Sequence, residues 1–433
     1  MTDASSDRPP PPVQQLISLG GQSGPGRIDR SPERRVVLTG LVGAATFIVA
    51  AALARITGFG GGSWTPLHLA LAGGAGLAIA ALLPHFTVSL AGARPAPWPV
   101  RVVALALVAS GASAVALAYP AGWEVVALAG ASLYLAGVLV SAGTAFIPAR
   151  GGLGRRFGVV EAAYGLALAN GAAAVSLAML RLSGAATLTG AWLVIKPAHA
   201  WLNIVGFLSL VVAATLIHLY PTVVGSRIRS RPALLITVGG VGLGAPVVAL
   251  GYVSGSGAAA RGGAVAVAAG AVALVVVAVG AWSGRGRWTT DSSWHLLTIG
   301  SLSAAIGWFV VGATILAVSV IRSGADPAGW SLARILGPLV IGWALQALIG
   351  SWSHLLPSVG PGDAGRHAAQ RNELGRWAAT RLIGWNAGTA MVAAGAFGAE
   401  SLDSAGMVVV GLTLLVSLGL LIRALTIRGG QNR

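Results

Sequence analysis

Apolar residues run along this chain in long blocks, and polar positions are confined to the seams between blocks and to the block ends. From Val36 onward there are twelve such blocks, near 36–56, 65–91, 101–119, 123–147, 158–181, 190–224, 233–253, 262–282, 293–321, 331–357, 376–398 and 404–426. Each is long enough to cross about 30 Å of hydrocarbon as a helix. The pattern predicts an all-α integral membrane protein of about twelve transmembrane helices, with a membrane domain over residues 36–427. Residues 1–35, rich in Pro, Ser, Gly, Asp and Arg, read as a disordered cytoplasmic tail, and residues 428–433 as a second short one. The proline-rich stretch before the first block does not resemble a cleaved secretory signal.

Three helix ends say nearly the same thing: His85-Phe-Thr-Val-Ser-Leu-Ala-Gly92, His218-Leu-Tyr-Pro-Thr-Val-Val-Gly225 and His354-Leu-Leu-Pro-Ser-Val-Gly360. They lie 133 and 136 residues apart, so a unit of four membrane helices is used three times, giving three pseudo-repeats of four.

Composition agrees: 55% of residues are hydrophobic, 9% are charged and mean hydropathy is +0.79. The formal charge of +16 does not point to nucleic acid, because the cations sit in short loops between apolar blocks. With the amino terminus inside, the tails and even-to-odd loops hold 22 of the 28 cations, leaving Arg55, Arg181, Lys196, Arg261, Arg322 and Arg334 outside. That split predicts both termini in the cytoplasm, and the bias of 27 Arg against one Lys, with abundant Ala and Gly, points to a GC-rich bacterial genome and so to a bacterial plasma membrane. It also defines the inner and outer ends named below. The chain has no cysteine, which excludes disulfides, thiolate metal sites, iron–sulfur clusters and covalent c-type heme, and leaves His, carboxylates and Met as ligands.

On this topology His68 and His199 begin the second and sixth spans at the outer end. His85, His218 and His354 end the second, sixth and tenth spans at the inner end, where His295 begins the ninth. His68 to His85 is 17 residues and His199 to His218 is 19, so at 1.5 Å per residue each pair is roughly 25 to 29 Å apart. The pattern predicts two levels of metal or heme ligation: His68 and His199 outside, and His85, His218, His354 and His295 inside. Glu161, at the repeat position equivalent to His295, and Asn203 are candidate cofactor contacts. Asp291, one turn before His295, could orient that imidazole through a hydrogen bond. Asn170, Gln346 and Asn386 lie deeper and could either meet a polar cofactor edge or join helices. His367 reads as an ordinary loop residue, and Trp64, Trp294, Trp330 and Trp352 as interfacial anchors. Gly73, Gly206, Gly300 and Gly350 read as positions of close helix packing that would also leave room for a porphyrin, and Arg181 and Lys196 as solvated cations within reach of an anionic group.

Twelve spans in three repeats with histidines on the second, sixth and tenth resemble subunit I of the heme–copper oxidases. His68-Leu-Ala-Leu-Ala-Gly73, Ala198-His199-Ala-Trp-Leu-Asn203-Ile-Val-Gly206 and Pro221-Thr222 are more closely similar to the membrane regions of actinobacterial multicopper oxidase or copper nitrite reductase-like proteins. This likeness covers most of residues 60–360. It implies a membrane redox subunit that holds heme b, copper or both, and that passes electrons between a quinol pool and a separate cupredoxin or cytochrome polypeptide. Subunit I of the oxidases carries a histidine pair on its seventh helix, but residues 233–253 contain none, which speaks against a dioxygen-reducing centre. A transporter or metal/proton permease using the same histidines, and a cofactor-free assembly subunit, are the other classes the sequence allows.

Overall fold

The computed structural model describes residues 31–60, 62–152, 158–184, 191–290, 293–359 and 364–427, and every regular element among them is helical. Twelve long helices follow the hydropathy pattern: α1 Ser31–Thr57, α2 Trp64–Ala91, α3 Trp98–Ala118, α4 Glu124–Ala149, α5 Gly158–Leu182, α6 Trp192–Val223, α7 Arg231–Ser254, α8 Gly257–Trp282, α9 Ser293–Ser323, α10 Ala333–Pro357, α11 Ala378–Gly395 and α12 Glu400–Thr426. A polar helix, Ala364–Leu374, joins α10 to α11. Helix α1 starts five residues before the apolar block does, so Glu33, Arg34 and Arg35 belong to its first turns and not to a tail.

The threefold repeat is visible in packing. The third and fourth helices of each repeat (α3 with α4, α7 with α8, α11 with α12) cross at a pair of glycines whose backbones touch. A Cβ at Gly111 would lie 2.6 Å from the Gly130 carbonyl oxygen, one at Gly244 2.8 Å from that of Gly263, and one at Gly388 3.0 Å from that of Gly406. Without an aqueous driving force between helices, such close approach is what holds membrane helices together. The first two glycine pairs are related by 133 residues, the same offset as His85 and His218.

The second helix of each repeat forms the centre. In α2, α6 and α10, 61, 78 and 67% of the apolar window is buried, against 22 to 56% in the other long spans. Each central helix also widens into a π-helical segment at its outer half: Leu69–Ala75, Trp201–Ser209 and Leu336–Leu345. These segments begin 132 and 135 residues apart, again the repeat offset. Widened turns are rare and concentrate at functional positions. They free backbone carbonyls, and Ser209 Oγ takes one of them, donating to the Ile204 carbonyl five residues back at 2.7 Å.

Candidate cofactor site

The outer ends of α2 and α6 face each other across a cavity of about 530 Å³. Helix α2 is fixed there by Thr65, whose hydroxyl donates to the Ala116 carbonyl of α3 at 3.1 Å. One turn on, His68 Nδ1 lies 2.9 Å from the Trp64 carbonyl oxygen. A carbonyl only accepts, so Nδ1 carries the proton and Nε2 keeps the ring's lone pair. The Trp64 indole stacks on the imidazole at 3.7 Å between centroids and leans on Tyr119 of α3 at 4.2 Å, which locks the ring plane.

His199 reaches the same tautomer by another route. Its Nδ1 donates to the Ala174 carbonyl of α5 at 2.9 Å, leaving Nε2 as the acceptor. Asn203, one turn later, donates from Nδ2 to the His199 carbonyl at 3.1 Å, and the same nitrogen lies 3.1 Å from Nε2 and 3.4 Å from Nδ1, over the face of the ring and off the in-plane lone pair. The bond to the carbonyl fixes the amide's orientation, since a carbonyl demands a donor. His68, His199, Asn203, Tyr119 and Tyr134 supply the polar lining; Leu71, Ala75, Ile79, Val175 and Phe207 are among the apolar walls; Arg181 and Lys196 also line the cavity. A pocket of this size, mostly apolar with a few convergent polar groups, suits a ligand of tens of heavy atoms. Two neutral imidazoles whose Nδ1 protons are held by carbonyls are the donor set that binds a metal through Nε2.

The inner end is organised differently. His85 Nδ1 lies 3.3 Å from Glu33 Oε1, and Arg101 Nη1 3.5 Å from the same oxygen. Phe86 packs between His85 and His218, at 5.9 and 5.8 Å between ring centroids, while His218 Nδ1 donates to the Ala214 carbonyl at 3.1 Å. The other two imidazoles flank Trp294: His295 at 3.7 Å and His354 at 6.2 Å, with the Arg371 guanidinium 5.2 Å above the indole. The four inner histidines thus form two pairs, and no group of three or more His, Asp or Glu suited to a metal occurs among the described residues. Glu161, half-buried in the first turn of α5, makes no ion pair among the described residues. Asp291 lies outside the described residues.

Of the deeper polar residues, Asn170 joins α5 to α7 by donating to the Gly242 carbonyl at 3.0 Å, and Asn386 joins α11 to α9 by accepting from Trp308 Nε1 at 2.8 Å. Gly73, Gly206, Gly300 and Gly350 meet Phe47, Asn170, Leu382 and Leu302, so all four serve helix packing.

One solved structure, described as a heme-copper terminal oxidase dimer, superposes on this chain with a TM-score of 0.68, covering 93% of this chain and 85% of that one at 12% identity. The chain has the fold of a heme-copper terminal oxidase. No protein-family model and no curated protein sequence matches it. Large aromatic side chains fill part of the space among α6, α7, α9 and α10. Trp201, Tyr252, Phe309 and Trp343, one from each of α6, α7, α9 and α10, are fully buried, and Phe309 stacks on Trp343 at 4.6 Å. The missing histidine pair of the seventh span therefore goes with a core of aromatic side chains.

Sequence reasoning missed several members of these sites. Tyr119 and Tyr134 carry no motif, and Glu33 and Arg101 look like boundary charges until α1 and α3 are packed together. Trp64 and Trp294, read as membrane anchors, are stacked on histidines.

Proposed function

We propose that this chain is a bacterial plasma-membrane redox subunit that holds a heme in the outer cavity, with His68 and His199 as the residues that would hold it. The carrying observation is the presence of two imidazoles, each with Nδ1 committed to a carbonyl, in the lining of one largely apolar cavity of about 530 Å³. That volume far exceeds what a bare copper ion needs, which favours heme over copper. A heme held by two imidazoles would supply one-electron transfer.

This chain's own groups do the rest. The Trp64 carbonyl and ring hold His68 in one plane and one tautomer; the Ala174 carbonyl does so for His199. Asn203, held by its bond to the His199 carbonyl, lies over the face of the His199 ring and leaves the Nε2 lone pair open. Arg181 and Lys196 would neutralise carboxylates at the periphery of the ligand. The apolar walls exclude water and set a low-dielectric surround. In this reading the chain passes electrons between a quinol pool and a separate cupredoxin-bearing or cytochrome protein, both of its termini lying in the cytoplasm. His295 with His354, and His85 with His218, would extend the path toward the inner end.

The test is heme and metal content of protein purified from its native host, in the wild type and in His68→Ala, His199→Ala and His367→Ala. The reading expects near-stoichiometric heme in the wild type and His367→Ala, and loss in the other two. Stoichiometric copper with no heme would overturn the heme assignment and leave the imidazoles as copper ligands.

A further inference from the structure

We propose that the cleft among α1, α10, α11 and α12 binds one small monovalent anion, held by Arg381. Arg381 lies in the first turn of α11 and is 5% exposed. Its Nε donates to Ser417 Oγ of α12 at 3.1 Å, and its Nη1 to the carbonyls of Leu374 and Arg376 at 2.7 and 3.3 Å. Every one of these partners is neutral. Among the described residues no carboxylate pairs with it, the nearest acid in sequence, Glu373, being engaged by Arg376 and Arg423. Nη2 has no acceptor among the described residues.

A guanidinium taken out of water without a counter-charge is costly, and the cost is offset when an anion or an acceptor comes with it. The surroundings provide the space. Arg381 and Ser417 line a cavity of about 50 Å³, together with Trp352 and Ser353 of α10 and aliphatic side chains of α1 and α12. A second, independent donor belongs to a residue of the same wall: Trp352 Nε1 is buried and has no acceptor among the described residues. Ser353 and Ser417 hydroxyls spend their own protons on the carbonyls of Ile349 and Thr413. The unspent groups are thus N–H donors around one positive charge, a pattern that an anion completes and a cation does not. The volume, compared with roughly 30 Å³ for a water molecule in the liquid, admits a halide or a three- or four-atom anion. It does not admit a phospholipid headgroup. The site is separate from the outer cavity and independent of what that cavity holds.

The test uses the purified full chain in mild detergent at constant ionic strength. Radiolabelled chloride is measured by equilibrium dialysis, and the thermal unfolding midpoint is compared in sodium chloride, sodium bromide and sodium gluconate. The proposal expects saturable retention of one chloride per chain, and a higher midpoint in chloride and bromide than in gluconate, whose anion is too large to enter. Arg381→Gln should abolish both effects. Trp352→Phe, which keeps the ring and removes one donor, should loosen chloride about fivefold while the protein remains folded, so the proposal stays testable if Arg381→Gln does not accumulate. Equal midpoints with no retained chloride in the wild type would overturn it, as would undiminished retention in Arg381→Gln. A co-purifying phospholipid that chloride fails to displace would also overturn it, by assigning the arginine to the membrane.

Discussion

Asn203 braces the His199 ring from its face. Its amide nitrogen lies 3.1 Å from Nε2 and 3.4 Å from Nδ1, above the ring and off the in-plane lone pair. Nδ1 is committed to the Ala174 carbonyl at 2.9 Å, so Nε2 is the only ring atom of His199 left to bind a metal, and its lone pair is open. The amide is itself fixed by donating to the His199 carbonyl at 3.1 Å. A contact of this kind is worth about 0.5 to 1.5 kcal/mol net, so losing the brace should weaken ligand binding by about two- to twelvefold. The perturbation is Asn203→Ala. The assay is titration of cofactor-depleted protein in detergent with hemin, followed by the Soret absorbance of the wild type, Asn203→Ala and His199→Ala. Weakening by that factor in Asn203→Ala beside lost binding in His199→Ala is the expected result. Tighter binding in Asn203→Ala would refute the reasoning, because it would mean the amide competes with the ligand for Nε2.

Other expectations follow from single contacts. Glu33→Gln removes the acid that faces Arg101, which is 4% exposed and has a second nitrogen, Nη2, without an acceptor among the described residues; the loss should be about 3 kcal/mol, read as a lowered melting midpoint that Arg101→Met partly restores. Gly244→Leu forces a side chain against the Gly263 carbonyl and should cost at least 1 to 3 kcal/mol, whereas Gly239→Ala, which meets nothing within 4 Å, should leave the midpoint unchanged. Gln346 is 1% exposed with neither amide atom partnered among the described residues, so Gln346→Met should raise stability by about 1 kcal/mol or more, since an unsatisfied buried group is removed at similar side-chain size. If the inner histidines hold a cofactor, His218→Ala should lose more of it than His367→Ala, measured by heme and metal analysis.

Much of the architecture is legible in the sequence because membrane insertion leaves a strong trace. Twelve apolar blocks give twelve helices, and the 133-residue offset that relates His85 to His218 also relates the first two glycine crossings and, within a residue, the first two π-helical segments. The widened turns themselves are silent in the sequence, since Leu69–Ala75 and Trp201–Ser209 read as ordinary apolar helix. At the outer end, His68 and His199 both line one cavity. At the inner end, sequence position gives depth along a helix but not direction around it. His85 and His218 gather on Phe86 while His295 and His354 gather on Trp294, so one level contains two separate places. Glu33 was hidden by the polar composition of the residues before it, and Arg381 by its position in the first turn of a span, where a snorkelling cation is ordinary.

The central claim is that the outer cavity carries a heme on His68 and His199, and a reduced-minus-oxidised visible spectrum of the protein purified in mild detergent from its native host tests it most directly. The account predicts sharp b-type bands that are absent from both His68→Ala and His199→Ala; a flat spectrum, or bands undiminished in both variants, would contradict it.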